Sequence, residues 1–166
     1  MAQQSSFDVT TGADLQEVDN AVNQARKEVQ QRYDFKGTNC TIDFERADSR
    51  LVLEAPDDHK LRALRDVLET KMVRRGVPIK NLDAKEAQPA SGGRLRQEIA
   101  LQQGIPTETA RQIVKDVKAR GFKKVQVAIQ GDELRVSSPS KDELQEVIAF
   151  LRGQDYGIEL RFGNYR

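Results

Sequence analysis

A change of hydrophobic period, made in the same order twice, restricts this chain more than any other feature. Phe7 and Val9 alternate with Asp8 and Thr10, the period of a half-buried strand. Thr11 with Asp14 marks a helix start. Leu15, Val18, Val22, Ala25 and Val29 then follow at three- and four-residue steps, one helix face running to about Tyr33. Alternation returns at Cys40, Ile42 and Phe44, and again at Leu51, Leu53 and Ala55, with Asp48-Ser49 as the turn of a hairpin. Pro56-Asp57 opens a second helix carrying Leu61, Leu64, Val67, Leu68 and Met72, which Gly76 and Pro78 stop. Ile79 to about Lys85 reads as a strand.

The second pass repeats that order. Leu95, Ile99 and Leu101 read as a strand, and Gly104-Ile105-Pro106-Thr107 introduces a helix with Ala110, Ile113, Val114 and Val117 inward. Gly121 ends it. Val125, Val127 and Ile129 pair across Gly131-Asp132 with Leu134 and Val136. Ser140 and Glu143 form a capping box for a helix carrying Leu144, Val147, Ile148 and Leu151. Ile158, Leu160 and Phe162 make a last strand.

Strand, helix, strand, strand, helix, strand is the order of the ferredoxin-like split βαβ unit. The expected class is therefore α+β: two tandem ferredoxin-like (RNP-like, βαββαβ) domains, each antiparallel sheet covered on one face by two helices. Gln88-Pro89-Ala90-Ser91-Gly92-Gly93 is the one compositional break. It divides the chain into domains 1–88 and 94–166 with 89–93 as the linker. Exchange of terminal strands between the halves fits the pattern equally well.

Composition narrows the function. The net charge is +1, so bulk attraction alone does not draw this chain to nucleic acid. Residues 1–88 carry 14 Lys+Arg against 16 Asp+Glu, and residues 89–166 carry 13 against 10, which favours a basic patch over a basic domain. Cys40 is the only cysteine, which excludes an internal disulfide and fits a reducing cytoplasm. One cysteine and one histidine, His59, are too few for a structural zinc site, a carboxylate-bound magnesium has no sequence signature here, and no metal or cofactor is assigned. No apolar run reaches the roughly 20 residues that span a bilayer, and no basic segment followed by an apolar core opens the chain. Phosphate-loop, dinucleotide-turn and nucleophile-elbow motifs are all missing, so no catalytic residues are assigned and an enzyme is not expected.

The candidate binding residues are basic and aromatic. Arg32-Tyr33-Asp34-Phe35-Lys36-Gly37 interleaves charge with rings and then stops at a glycine, chemistry that suits a base and a phosphate. In the plainer reading Phe35 and Tyr33 anchor the end of the helix. Arg32, Tyr33 and Lys36 are taken as binding residues, with Arg74, Arg75, Lys123 and Lys124 supplying charge. Lys71, Arg74 and Arg75 also suit the dipole at a helix C-terminus, and Lys123-Lys124 suits a charged strand edge. Arg94 and Arg96 alternate with Leu95 and are expected on an open sheet surface. The paired aromatics that RNA-recognition sheets place on their two central strands are absent, because Phe7 fits the inward alternation.

The chain resembles the bacterial YajQ-like proteins over essentially its whole length. The resemblance is carried by Ser6-Phe7-Asp8-Val9, Asp14 to Ala25, Arg32 to Gly37, Val73 to Pro78 and Gln103-Gly104-Ile105. It continues through Lys123 to Gln126, Ile129 to Asp132, Leu134-Arg135-Val136 and Asn164-Tyr165-Arg166. It implies two RNP-like domains in tandem and a nucleotide-binding protein without enzymatic activity. The implied ligands are purine nucleotides (ATP, GTP or a cyclic dinucleotide) or tRNA. Ser137-Ser138-Pro139-Ser140 departs from the family in lacking the glycine and basic residues often found before the last helix. The alternative reading is a protein–protein interaction module acting in transcription or translation. A phosphohydrolase without a recognised motif is the third and weakest.

Overall fold

The computed structural model describes residues 4–166, so positions 1–3 of the expected first domain lie outside it. Nine strands and four long helices occur among the described residues. They are β1 (Ser5–Thr10), α1 (Leu15–Gln31), β2 (Thr41–Glu45), β3 (Arg50–Ala55), α2 (Asp58–Arg74), β4 (Leu82–Ala84), β5 (Gln88–Ala90) and β6 (Arg94–Leu101). Then come α3 (Thr107–Arg120), β7 (Gln126–Gln130), β8 (Glu133–Ser138), α4 (Lys141–Arg152) and β9 (Arg161–Gly163). The fold is α+β, with two antiparallel sheets and two helices to each, consistent with two tandem ferredoxin-like domains.

The chain divides into a continuous unit, Ala13–Gln103, and a discontinuous one made of Gly104–Arg166 with the N-terminal segment ending at Gly12. This division differs from the contiguous one expected at 89–93. In the discontinuous unit the sheet order is β7-β8-β1-β9, and β1 pairs with β8 through Phe7–Val136 and Val9–Leu134. In the continuous unit the order is β2-β3-β6-β4, with β5 pairing the start of β6. The central strand beside β3 is thus β6, which arrives last in its unit. The 89–93 stretch is a hairpin inside this unit, where Gly92 and Gly93 take positive φ values of 72° and 73°. Backbone pairing is sequence-neutral: β1 and β6 both present alternating apolar residues, and either period fills a central slot.

Each sheet buries one face under its helices. In the continuous unit, Leu51, Leu53 and Ile99 meet Val18, Val22, Leu64 and Leu68, all essentially without solvent contact. In the discontinuous unit, Phe7, Val9, Leu134 and Val136 meet Ile113, Val147 and Leu151. Burying one such side chain fully contributes roughly 1.5–3 kcal/mol. Asp14 caps α1 by accepting from Gln16 N at 2.9 Å, and Asp57 caps α2 by accepting from Lys60 N at 2.8 Å.

Two local expectations change. The Ser140 box forms on one side only: its Oγ accepts from Glu143 N, but its own N–H goes to Ser138 Oγ. The strand expected from Ile79 is a single 3-10 turn followed by three strand residues, because Asn81 is drawn inward to bond Gln102 O at 2.8 Å.

Candidate nucleotide-binding site

The Arg32–Gly37 stretch is a structural corner first. α1 ends at Gln31, and Tyr33–Phe35 form a 3-10 turn that drives the Phe35 ring into the core at 4% exposure. The Arg32 guanidinium and the Lys60 ammonium lie 5.0 and 5.7 Å from that ring's centre. Lys60 Nζ donates to Asp34 O, and Arg94 donates to Thr38 O and Asn39 O at 3.0 and 2.6 Å. Arg94 therefore clamps the turn and does not stand on an open sheet. Arg96 is paired with Glu98 at 2.8 Å.

Arg32 is itself neutralised. It donates to Asp34 at 2.7 Å and reaches Glu28 at 3.3 Å, and the hydrogen bond it donates to Asp34 raises its pKa further above the ordinary arginine value. Glu28 in turn accepts from Lys71 at 3.0 Å, which, with Arg32, lowers its pKa. Tyr33 stands 88% exposed on the outside of the turn, and Lys36 is exposed and makes no ion pair among the described residues.

Arg74 and Arg75 sit at the other end of the helix pair. Lys60, in the first turn of α2, touches the end of α1, whereas Arg75, just past the end of α2, bonds Glu17 near the start of α1 at 2.7 and 3.0 Å. Lys71, one turn before Arg75, shares Glu28 with Arg32, but Arg75 itself turns to Glu17, so Arg32 and Arg75 are held by different carboxylates. Lys123 and Lys124 belong to the discontinuous unit, exposed in the turn between α3 and β7.

In that unit the two ends of the described chain meet. Ser6 and Arg166 exchange backbone hydrogen bonds of 3.2 and 2.9 Å, which prolongs the ladder of β1. Asn164 takes a left-handed φ of 54°, a conformation asparagine tolerates, and its side chain donates to Asp8 at 2.6 Å. Arg135 donates to the same carboxylate at 3.0 Å. Asp8 points to the sheet face away from the helices yet is only 5% exposed. The Asn164 hydrogen bond and the Arg135 guanidinium hold its pKa below the usual aspartate value, against the opposing effect of burial.

Beside this anchor lies a cleft of about 300 Å³ lined by Ser5, Ser6, Phe7, Lys141, Leu144, Gln145, Tyr165 and Arg166. That volume is at the lower end of ligand pockets, roughly 300–1,000 Å³. Phe7 and Leu144 close its floor. Tyr165, 61% exposed, offers a ring 6.3 Å from that of Phe7. Lys141 opens α4, so a cation, the Ser5 hydroxyl, an amide and a ring border one apolar base, while Arg166, paired with Ser6, lies close enough to Asp8 to help lower its pKa. Lys141 and Tyr165 carry no period or motif that marks a site; their proximity is created by the pairing of Arg166 with Ser6.

Residues 5–166 match the profile of the family described as "Nucleotide-binding protein YajQ-like". The chain belongs to that family. It is 47% identical over 166 residues to a nucleotide-binding protein of Chloroherpeton thalassium, covering 100% of both chains. A nucleotide-binding protein of Desulfitobacterium hafniense shows 47% identity, again over 100% of both. One from Solibacter usitatus shows 46% over 162 residues, 98% of this chain and 97% of the relative. Ser6–Val9 and Asn164–Arg166, two of the stretches that carry the family resemblance, are the ones that build the cleft and its Asp8 anchor.

Proposed function

We propose that this chain is a cytoplasmic protein that binds a purine nucleotide and performs no chemistry on it, with the Tyr165 cleft as the site. The observation that carries this reading is the placing of the Tyr165 ring and Lys141 at one cleft over the apolar Phe7–Leu144 floor. The base stacks on Tyr165, and the phosphates lie toward Lys141. A stacked base contributes about 1–3 kcal/mol. The names of the relatives at 45–47% identity support the ligand class. Among the residues expected from the sequence, Lys36, Arg74, Lys123 and Lys124 keep free charge among the described residues and draw phosphates electrostatically, with Tyr33 as a second exposed ring. Arg32 and Arg75, held by carboxylates, are the weaker members of that set.

Titration with ATP, GTP, a cyclic dinucleotide and tRNA at two salt concentrations tests the proposal. Saturable, salt-tolerant binding of one mononucleotide, weakened about tenfold or more by Lys141→Glu, is expected. Unchanged affinity in that variant removes the cleft. No affinity for any nucleotide, together with a partner captured in the presence of nuclease, favours the interaction module. Release of phosphate from ATP or GTP by highly purified protein revives the hydrolase.

A further inference from the structure

The two antiparallel sheets leave four strand edges among the described residues, and three of them are guarded. β2 carries Asp43 and Glu45, the β4–β5 edge is interrupted between Ala84 and Gln88 and holds Pro89, and β9 is only three residues long. Charge, proline, interruption and brevity are the usual ways of keeping an edge from pairing with another chain. β7 uses none of them. It reads Gln-Val-Ala-Ile-Gln from Gln126 to Gln130, and its register with β8 runs without a bulge from Gln126–Ser137 to Gln130–Glu133. Every residue of it except Val127 is exposed, Ile129 at 42%.

This bare edge is complementary to itself. The two-residue turn Gly131-Asp132 joins β7 to β8, so Gln130, Ala128 and Gln126 bond β8. By the alternation of an antiparallel ladder, the N–H and C=O of Val127 and Ile129 then point outward. A second copy laid antiparallel, with Ala128 on the twofold axis, pairs the whole strand: Gln126 with Gln130, and Val127 with Ile129. Val127 and Ile129 share the sheet face that carries Val136 and Leu134, so each β-branched pair covers an Ile129 side chain that is otherwise half in water. Ala128, the smallest side chain of the strand, meets its own copy on the axis, where paired side chains come closest. The ends match in charge as well. Lys123 and Lys124 precede the strand and Asp132 and Glu133 follow it, so antiparallel pairing sets Lys124 of one copy across from Asp132 of the other. An unrelated partner would have to supply both the apolar register and the charges; this chain already carries them.

We propose that β7 is a homodimer interface, through which two copies of this chain join their β7-β8-β1-β9 sheets edge to edge. Each copy uses up its edge in the pairing, so the assembly closes at the dimer. A strand this short makes a small contact, and the association is accordingly weak and concentration-dependent. The test follows the full chain over a concentration series by sedimentation equilibrium and by hydrogen exchange. Dimer accumulates as concentration rises, and amide protection grows at Val127 and Ile129 but not in β2 or β9. Ala128→Lys, at an exposed position, sets like charges opposite each other on the axis and weakens dimerisation about tenfold or more. An equimolar mixture of Ala128→Lys and Ala128→Glu recovers it, which a folding defect in either variant would not allow. A wild type that stays monomeric at every concentration overturns the proposal, even if β7 pairs with an extended segment of another protein. So do an unaltered Ala128→Lys variant and a dimer whose new protection lies in β2 or β9. The proposal also falls if the mixture stays monomeric while both variants keep the protection of β1 and β8.

Discussion

The two units use similar numbers of charges in different ways. Ala13–Gln103 has 16 Lys+Arg and 16 Asp+Glu, and the remainder of the chain has 11 and 10. In the continuous unit many of the cations are spent locally, although Lys36 and Arg74 make no ion pair among the described residues. Arg32 holds Asp34, Lys71 holds Glu28, Arg75 holds Glu17, Arg96 holds Glu98, and Arg50 lies among Glu45, Asp48 and Glu98. In the discontinuous unit, Arg135 is committed to Asp8, but the cations of α3 and its following turn make no ion pair among the described residues. A count of charges therefore misleads about binding. What matters is which cations have already met a carboxylate.

Four experiments break or sharpen that comparison. The largest effect belongs to the cores. Phe7→Ala costs about 3–5 kcal/mol, and hydrogen exchange should lose protection in β8 and β9 while β3 and β6 keep theirs. Equal loss in both sheets would mean that the two cores do not act separately.

Next come the two exposed tyrosines. Tyr165→Ala is expected to weaken nucleotide binding by about 1–3 kcal/mol, and Tyr33→Ala, on an open turn with no cleft, to leave it nearly unchanged. Calorimetric titration of both variants with one ligand gives the answer. The reverse ranking would return the site to the Arg32–Gly37 corner.

Asp8→Asn comes third in size. It leaves the half-buried Arg135 without its anion, at a cost of about 1–3 kcal/mol near neutral pH, measurable by urea unfolding. The sign with pH follows from the lowered pKa. Above the ordinary aspartate value of 3.8 the carboxylate is charged in both folded and unfolded states, and its stabilisation is complete. That stabilisation is lost as pH falls through the lower folded value. Wild type and variant should therefore converge in acid, and a constant difference down to the lowest pH would rule the ion pair out as its source.

The smallest effect is expected in the continuous unit, at Glu17→Gln. Its pair with Arg75 is about one-third exposed on both sides, so the loss is about 0.2–1 kcal/mol, with no change in ligand affinity. A gain in polyanion affinity in this variant would show that neutralisation is what keeps Arg75 out of binding.

Periodicity located all four helices and both hairpins, because burial of one face of a helix or strand is written at three- to four-residue or two-residue spacing. The corner at Phe35 was also legible, since a ring before a glycine at a helix end has few other uses. Central-strand identity was not. β1 and β6 carry the same alternation, and backbone hydrogen bonds contain no side-chain address. For the same reason Lys141 and Tyr165 left no trace as neighbours: they are 24 positions apart in a chain whose pairing of Ser6 with Arg166 sequence does not announce.

The sequence by itself determined the α+β class, the succession of elements, the family and the scarcity of aromatic platforms, all of which follow from residue type and local spacing. The tertiary structure alone decided which strand completes each sheet, which cations are neutralised, and that the two ends of the described chain build one cleft. These depend on contacts between distant residues, where the free energy comes from desolvation and geometry that no local pattern records.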